Sequence, residues 1–395
     1  MGLVFCCWLF LLLTLVSSAW SLSSDGLTLL ALSKNLTLPS SIGSDWNASD
    51  STPCKWNGVR CNSRDRVISL NLSSSGISGS LGPQIGHLKY LRTLVLTKNK
   101  VSGSIPPELG NCSMLDHLDL TDNFLSGEIP ASLGNLKELS YISLGFNSLS
   151  GTIPEELFKN QLLVEVYLHY NNLSGSIPST IGEMTSLRFL WLHENMLSGV
   201  LPDSVGNCTN LEEVYLLDNQ LSGALPKTLG EIKGLKIFDA TNNSFTGEIP
   251  FSFQNCKLEI FILSFNLISG EIPSWLGSCS GLEQLGFVEN SLSGHIRASV
   301  GLLKNLTYLL LSHNSLSGPI PPEVGVNSRL KWIYLDNNDL VGEIPPNICS
   351  RQALRILDLA YNRLNGSIPS GICNCPSLER LILRENNLSG SNGFQ

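Results

Sequence analysis

The side-chain types that hydrolytic or metal chemistry uses are present, but their spacing does not assemble them. Six histidines are scattered at His87, His117, His169, His193, His295 and His313. There is no His-Glu-x-x-His run, no Gly-x-Ser-x-Gly elbow and no glycine-rich phosphate loop. Asp119 lies beside His117 without a recognisable nucleophile to serve. His169 and His193 can offer a metal ion only a pair of ligands, so exposed contact residues are the simpler assignment. No catalytic centre, cofactor or metal site is expected.

Recognition is a better match. Tyr167, Trp191 and Tyr215 recur at intervals of 24 residues, with Tyr141, Phe146, His169, Tyr170, Phe189 and His193 at neighbouring phases. Contiguous exposed aromatics mark binding surfaces. Glu165, Glu194, Glu212, Glu213 and Asp218 surround them, and an acidic, aromatic groove suits an extended basic or proline-rich peptide. The competing assignment is that the rings only cover sheet backbone or pack under a glycan. Farther along, Arg380 and Arg384 are four residues apart on one outward face, and paired guanidiniums suit a carboxylate. Net charge is −8 and no basic run occurs, which argues against a nucleic-acid partner.

A repeat must position these residues. The asparagine closing a Leu-x-Leu-x-x-Asn core returns at Asn99, Asn123, Asn147, Asn171, Asn195, Asn219 and Asn243. After one step of 23 it continues at Asn266, Asn290, Asn314, Asn338, Asn362 and Asn386, with Ser75 in the slot of a divergent first unit. Such a stack has no central core, and each unit buries its apolar side against its neighbours. The leucines point inward along a short parallel strand and the intervening residues outward. The asparagine amide, with two donors and two lone pairs, is expected to satisfy backbone of its own turn and the next. A Leu-x-Gly-x-Ile-Pro half follows, as in Gly127-Glu128-Ile129-Pro130 and Gly247-Glu248-Ile249-Pro250. Fourteen units at the strand spacing predict a sheet roughly 60 Å long.

The ends and the cysteines complete the organisation. Residues 1–21 read as a cleaved secretory signal, with no membrane segment after it, and 22–66 as a cap. Residues 67–390 are the repeats and 391–395 a divergent tail. In the cap, Ser24-Asp25 is expected to start a helix with Leu27, Leu29, Leu30 and Leu32 on its apolar side. Two tryptophans and a disulfide between Cys54 and Cys61 would close the first apolar edge. Cys112, Cys208, Cys279 and Cys375 share a slot with Leu136, Met184, Ile232 and Leu303, which makes it interior and the cysteines small buried thiols. Bridges Cys256–Cys279 and Cys349–Cys373 are the alternatives, because each pair occupies nearly equal positions of neighbouring units. Ten sequons lie at Asn35, Asn47, Asn71, Asn111, Asn172, Asn207, Asn242, Asn305, Asn365 and Asn387, supporting a secretory route to the apoplast. Asn71, Asn111 and Asn207 are placed closest to packed backbone, where modification is hindered.

The repeat resembles the plant-specific class of leucine-rich repeats, which implies an α/β solenoid: a horseshoe with a parallel concave β-sheet and an N-terminal disulfide cap. The opening Ser24-Asp25-Gly26-Leu27-Thr28-Leu29-Leu30, the Thr52-Pro53-Cys54-Lys55-Trp56 cap and the Leu383-Arg384-Glu385-Asn386-Asn387 unit look like plant receptor kinases for endogenous elicitor peptides. That resemblance implies a secreted peptide ligand along the concave face, with Arg384, and less surely Arg380, engaging its C-terminal residue. It also implies a short leucine-rich repeat co-receptor kinase. Full-length relatives sit in the plasma membrane and carry a Ser/Thr kinase domain. This chain stops within its fourteenth unit, which reads as a truncated product. A secreted inhibitor of a microbial cell-wall-degrading enzyme is the alternative function. Arg297 stands where a unit should have proline.

Overall fold

The computed structural model describes residues 21–250 and 256–390. The expected signal, apart from Ser21, and the tail at 391–395 lie outside the described residues. No helix among the described residues is long and apolar enough to cross a membrane.

Every repeat but the last contributes two short strands. The three residues centred on the inward leucine, such as Glu165–Tyr167 and Phe189–Trp191, join a 15-stranded sheet running from Val59–Cys61 to Arg380–Ile382. All pairs are parallel except the first, between Val59–Cys61 and Val67–Asn71. The middle residues Val166, Leu190 and Val214 are fully buried, as strand alternation requires. The Leu-x-Gly half, read from sequence only as a strand-like piece, forms a second 14-stranded sheet ending at Arg363–Asn365. Turns of 3₁₀ helix such as Asp203–Asn207 link the two sheets on the convex side. Their closeness explains the glycine of that segment: a Cβ on Gly110 would lie 2.3 Å from the Ser132 carbonyl oxygen.

The ladder asparagines carry the stack as a single repeated hydrogen-bond set. Asn219 Nδ2 donates to the carbonyls of Leu216 (3.1 Å) and Leu217 (3.2 Å) in its own turn and of Leu192 (3.1 Å) in another. Its Oδ1 accepts from the Leu197 N–H at 2.9 Å. The expected cross-link to the next turn is thus corrected: each amide reaches back to the preceding unit. The Ser75 hydroxyl bonds only locally, to the Ser73 carbonyl, and Asn99 accepts from the N–H groups of both Ser75 and Ile77. The residue before each ladder asparagine adopts left-handed backbone, with φ between +49° at Glu289 and +57° at Asp122. Charged, amide and aromatic side chains occupy that position, although the conformation is uncommon outside glycine and asparagine. The amide bonds around it hold it there.

The cap closes the first edge, with two differences from expectation. The helix Ser24–Leu32 is capped by Ser23, whose hydroxyl accepts from Gly26 N–H at 3.3 Å, rather than by Ser24-Asp25. Asp25 is instead buried, holding Arg66 at 2.8 Å and the Val67 N–H at 2.8 Å where the sheet begins. Leu27 is 58% exposed while Leu29 and Leu32 are buried, so the apolar face is narrower than expected. Trp46 stacks on Trp56 at 5.4 Å. At the irregular unit, Arg297 pairs with Glu271 and a one-turn α-helix, Ala298–Gly301, replaces the 3₁₀ turn.

The cysteines divide three ways. Cys54–Cys61 and Cys256–Cys279 are bonded, with Cα separations of 5.4 and 4.9 Å. The third bridge joins Cys349 to Cys375, not to Cys373. Equal repeat positions bring Cys349 and Cys373 into neighbouring turns, but Cys373 ends the helix Ser370–Cys373 facing solvent, whereas Cys375 enters the interior slot beside buried Cys349. The buried-thiol assignment therefore holds for Cys112 and Cys208, and is corrected for Cys279 and Cys375. The Cys112 and Cys208 thiols contact the carbonyls of Ile85 and Ile181, and burial pushes their pKa up to about 11 and about 12. All ten sequon asparagines are exposed, including Asn71, Asn111 and Asn207, which were expected to be hindered.

Two outcomes follow from these contacts. Asn123→Ala deletes the amide that serves Leu96, Leu120, Thr121 and Val101 and leaves buried backbone groups unpaired. It should cost about 3 kcal/mol or more in a denaturant titration. A maleimide added to the native protein should label Cys373 and leave Cys112 and Cys208 unmodified until denaturant is present, as mapped by mass spectrometry.

Candidate ligand-binding site

The outward residues of the concave sheet form columns because parallel pairing keeps register. Tyr167 pairs with Ser143 and Trp191, and Trp191 with Tyr215, so these residues lie side by side across adjacent strands. The rings pack edge to face, Tyr167–Trp191 at 4.8 Å and Trp191–Tyr215 at 5.3 Å. Tyr141 joins them, stacked on His117 at 4.1 Å and edge-on to Tyr167 at 5.7 Å. Arg188 lies over the Phe189 ring at 4.9 Å. Most of these rings are half-buried by one another; Phe146 and Tyr170, in the left-handed position of their turns, stand out at the rim and stack at 4.4 Å.

His169 differs from the exposed contact residue expected. It is only 7% exposed, its ring lying over Gly145, the position of the preceding unit that has no side chain. His193 stacks on it at 4.7 Å, with 18° between the ring planes. Near-parallel planes aim the nitrogen lone pairs alongside each other rather than at one point, which does not suit a shared metal ion. Three polar atoms at this spot, His169 Nδ1, His193 Nδ1 and Trp191 Nε1, are buried without a hydrogen-bond partner. Groups of this kind are costly when unpaired and mark places where a ligand can supply the missing partner.

Charge around the rings is partly committed. Glu212 is held by Lys236 and Arg188, whose hydrogen bonds keep its carboxyl below the usual range. Glu165 accepts from the Tyr167 hydroxyl at 2.7 Å, and burial together with this carboxylate pushes the phenol's pKa up. Asp218 accepts from Asn242 at 2.6 Å. Glu194 and Glu213 have no ion pair among the described residues, so they carry the available negative charge.

The sheet continues into a second cluster that the sequence columns understated. Past an aliphatic stretch of Ile237, Ile260 and Ile262, Tyr308 meets Trp332 at 4.8 Å and Trp332 meets Tyr334 at 6.4 Å. Trp332 and Tyr308 lie at the first position of their strands, in the outward column that also holds Tyr141 and Phe189. Beyond them Arg384 lies over the Tyr361 ring at 5.1 Å, and Arg380 occupies the last strand. Burial raises the pKa of Asp358, and Arg380 and Arg384 act in the opposite direction on it. Both arginines are exposed, Arg380 at the start of the last strand and Arg384 two residues beyond its end.

An open solenoid of short parallel strands sealed by one hydrogen-bonded asparagine per turn defines a leucine-rich repeat protein. The leucine rich repeat N-terminal domain family matches residues 22–62, and leucine rich repeat families match 90–112, 114–136, 162–184, 186–208, 234–256, 257–279, 305–326 and 328–388. A receptor-like protein kinase of Ipomoea nil is 54% identical over 81 residues, which are 20% of this chain and 7% of that protein. The leucine-rich repeat receptor-like protein kinase PEPR1 of Arabidopsis thaliana is 49% identical over 82 residues, again 20% and 7%. The aligned stretches thus span a small fraction of these relatives' length. The solved structure of PEPR1 with AtPEP1 is 37% identical over 93% of this chain and 66% of that one, with a TM-score of 0.60. That of the Arabidopsis receptor kinase HAESA with the peptide hormone IDA and the co-receptor SERK1 is 34% identical over 93% and 67%, with a TM-score of 0.75. The chain belongs to the family of plant leucine-rich repeat receptor-kinase ectodomains. The matched residues are the N-terminal cap and the repeats.

The histidine pair sets a pH dependence. Burial, then the neighbouring His169 charge, pushes the His193 pKa from 6.5 down to about 4 against the opposing pull of Asp218; burial alone lowers that of His169. With folded values depressed, the unfolded chain takes up protons first as pH falls. Stability from these groups is full above about 6.5 and is lost between there and about 4. The denaturation midpoint should therefore fall more steeply from pH 7 to pH 4.5 in the native chain than in His193→Gln, where nothing titrates at that position.

Proposed function

We propose that the chain perceives an extended peptide on its concave face as the extracellular region of a receptor kinase at the plasma membrane, in defence or developmental signalling. The observation that carries this reading is the uninterrupted outward surface from Tyr141 to Arg384. It runs over a first aromatic cluster, an aliphatic stretch, a second aromatic cluster and a cationic end. Ten strand steps separate the two ends, a span of roughly 48 Å, which an extended segment of about 14 residues covers.

The roles divide by chemistry. Trp191, Tyr167 and Tyr215 supply rigid apolar area to side chains of the ligand. The unpaired Trp191 Nε1–H and the two imidazole nitrogens offer hydrogen bonds to its polar groups, and Glu194 and Glu213 favour a basic residue nearby. Arg380 and Arg384 would receive a C-terminal carboxylate, with Arg384 held by the Tyr361 ring. PEPR1 and HAESA are both solved with a peptide, and HAESA also with a co-receptor. By similarity a short leucine-rich repeat co-receptor kinase would join the peptide-loaded chain here. No nucleic acid or cofactor takes part in this mechanism.

Calorimetry with AtPEP1 and IDA as probe peptides tests the reading. At least one should bind, and Trp191→Ala and Arg384→Ala should each weaken it by about tenfold or more, the loss typical of an interface anchor. Unchanged affinity in both variants would sink the proposal. Inhibition of a fungal polygalacturonase by the chain, with neither peptide bound, would favour the inhibitor instead.

A further inference from the structure

Between the two aromatic clusters the outward column passes from Tyr215 to Asp239, Ile262 and Gly286, side by side on adjacent strands. Asp239 is thus a carboxylate on the groove floor, with a ring on one side and an aliphatic side chain on the other. Ile237 on its own strand and Ile260 on the next share the outward face. Ile262 leans towards the position that has no side chain: a Cβ on Gly286 would lie 3.0 Å from Ile262 Cγ2. That tilt takes Ile262 away from Asp239 and leaves an indentation between them.

The carboxylate is only half satisfied. Its Oδ1 accepts from the Thr241 N–H at 3.0 Å and from the Thr241 hydroxyl at 2.6 Å. Its Oδ2 has no hydrogen bond among the described residues and is not sealed from solvent. The lysine on the same strand does not answer it, because Lys236 is held by Glu212 at 2.9 Å. Burial pushes the Asp239 pKa up against the two Thr241 bonds, and the neighbouring Asp218 charge adds to the rise. Farther along the same column Asp358 is also raised by burial, but there Arg380 and Arg384 pull it back. A half-buried carboxylate with one oxygen free gains most from a charged donor.

We propose that Asp239 selects a lysine or arginine of the ligand, whose aliphatic stem lies on Ile262 and Ile260 and whose charged head donates to Asp239 Oδ2. Long cationic side chains lay their methylene stems along apolar surface and keep the head in polar contact, and here the two surfaces adjoin. The Tyr215 ring beside the carboxylate adds a face for the cation. An acidic side chain at that place would meet Asp239 and Asp218, and an aliphatic one would fill the indentation but leave the carboxylate unpaired. Asp239 is then the specificity-determining acid, with Glu194 and Glu213 adding only to the field around it. This role rests on the peptide-binding reading and gives its central stretch a residue preference.

Calorimetry with AtPEP1 and IDA tests it, each peptide used unmodified and with one lysine or arginine at a time replaced by norleucine, on the native chain and on Asp239→Asn. Asparagine keeps the acceptor for Thr241 and the shape of the floor while removing the charge. Binding of the unmodified peptide should fall about tenfold or more in the variant. One norleucine peptide should lose as much on the native chain and nothing further on the variant, the coupling that marks a direct contact. Unchanged affinity in Asp239→Asn overturns the proposal. So does a loss shared equally by every norleucine peptide, which would make Asp239 a support of the floor. Binding of neither peptide to the native chain would overturn the peptide reading and this proposal together, whereas a peptide that binds both chains alike overturns this proposal alone.

Discussion

One amide per turn determines the geometry of everything else. Each ladder asparagine after Asn99 ties three carbonyls and one N–H together, two of these partners in its own turn and two in the turn before. A solenoid has no central core to fix its register, so the register of neighbouring units must be set by contacts between them. The buried leucines supply the hydrophobic drive, but they would tolerate a shift along the strand better than a set of directional bonds does. Because the amide reaches backward, every unit is locked to its predecessor, and the cap is the place where the series must be started by other means. Asp25, holding Arg66 and the Val67 N–H, does so.

The same amide has a consequence on the surface. Turning the chain tightly enough for the asparagine to reach three carbonyls leaves the residue before it in left-handed backbone. That residue need not be glycine, so the position carries charged, amide or aromatic side chains, and the turn presents them at the rim. Phe146, Tyr170, Phe265 and Tyr361 all occupy it and are all exposed. The concave strands, by contrast, present their outward residues in close register, where rings shield one another. Two kinds of aromatic surface thus come from one repeat: a packed floor and a projecting edge.

What the sequence made legible follows this division. The period located the strands, the inward slot of Cys112 and Cys208, and the column holding Tyr167, Trp191 and Tyr215, because each depends only on phase within a unit. The phase alone does not give the direction in which a side chain leaves an irregular turn. Cys373 and Cys375 are two residues apart, yet one faces solvent and the other bonds Cys349. Burial of His169 was likewise hidden, since it depends on the missing side chain of Gly145 one unit away. The second sheet was understated because Leu-x-Gly carries too little alternation to announce a strand. Trp332 and Tyr308 share the phase of Tyr141 and Phe189, so the period alone places them on the outward face.

The orphaned atoms at Trp191, His169 and His193 separate a floor that merely covers backbone from one prepared for a partner. Rings packed only to shield the sheet would be served as well by phenylalanine, which buries similar area without a polar atom to satisfy. Here three adjacent polar atoms are desolvated and unpaired, at a cost to the free protein. The imidazoles lose solvation, and the pull of Asp218 on His193 does not offset that loss, so they stay neutral and their stacking is not opposed by like charge. Unsatisfied polar groups on an otherwise consistent scaffold concentrate where function and stability pull apart. A ligand offering an amide or hydroxyl there would recover that cost on binding, which favours specificity over mere adhesion to an aromatic surface.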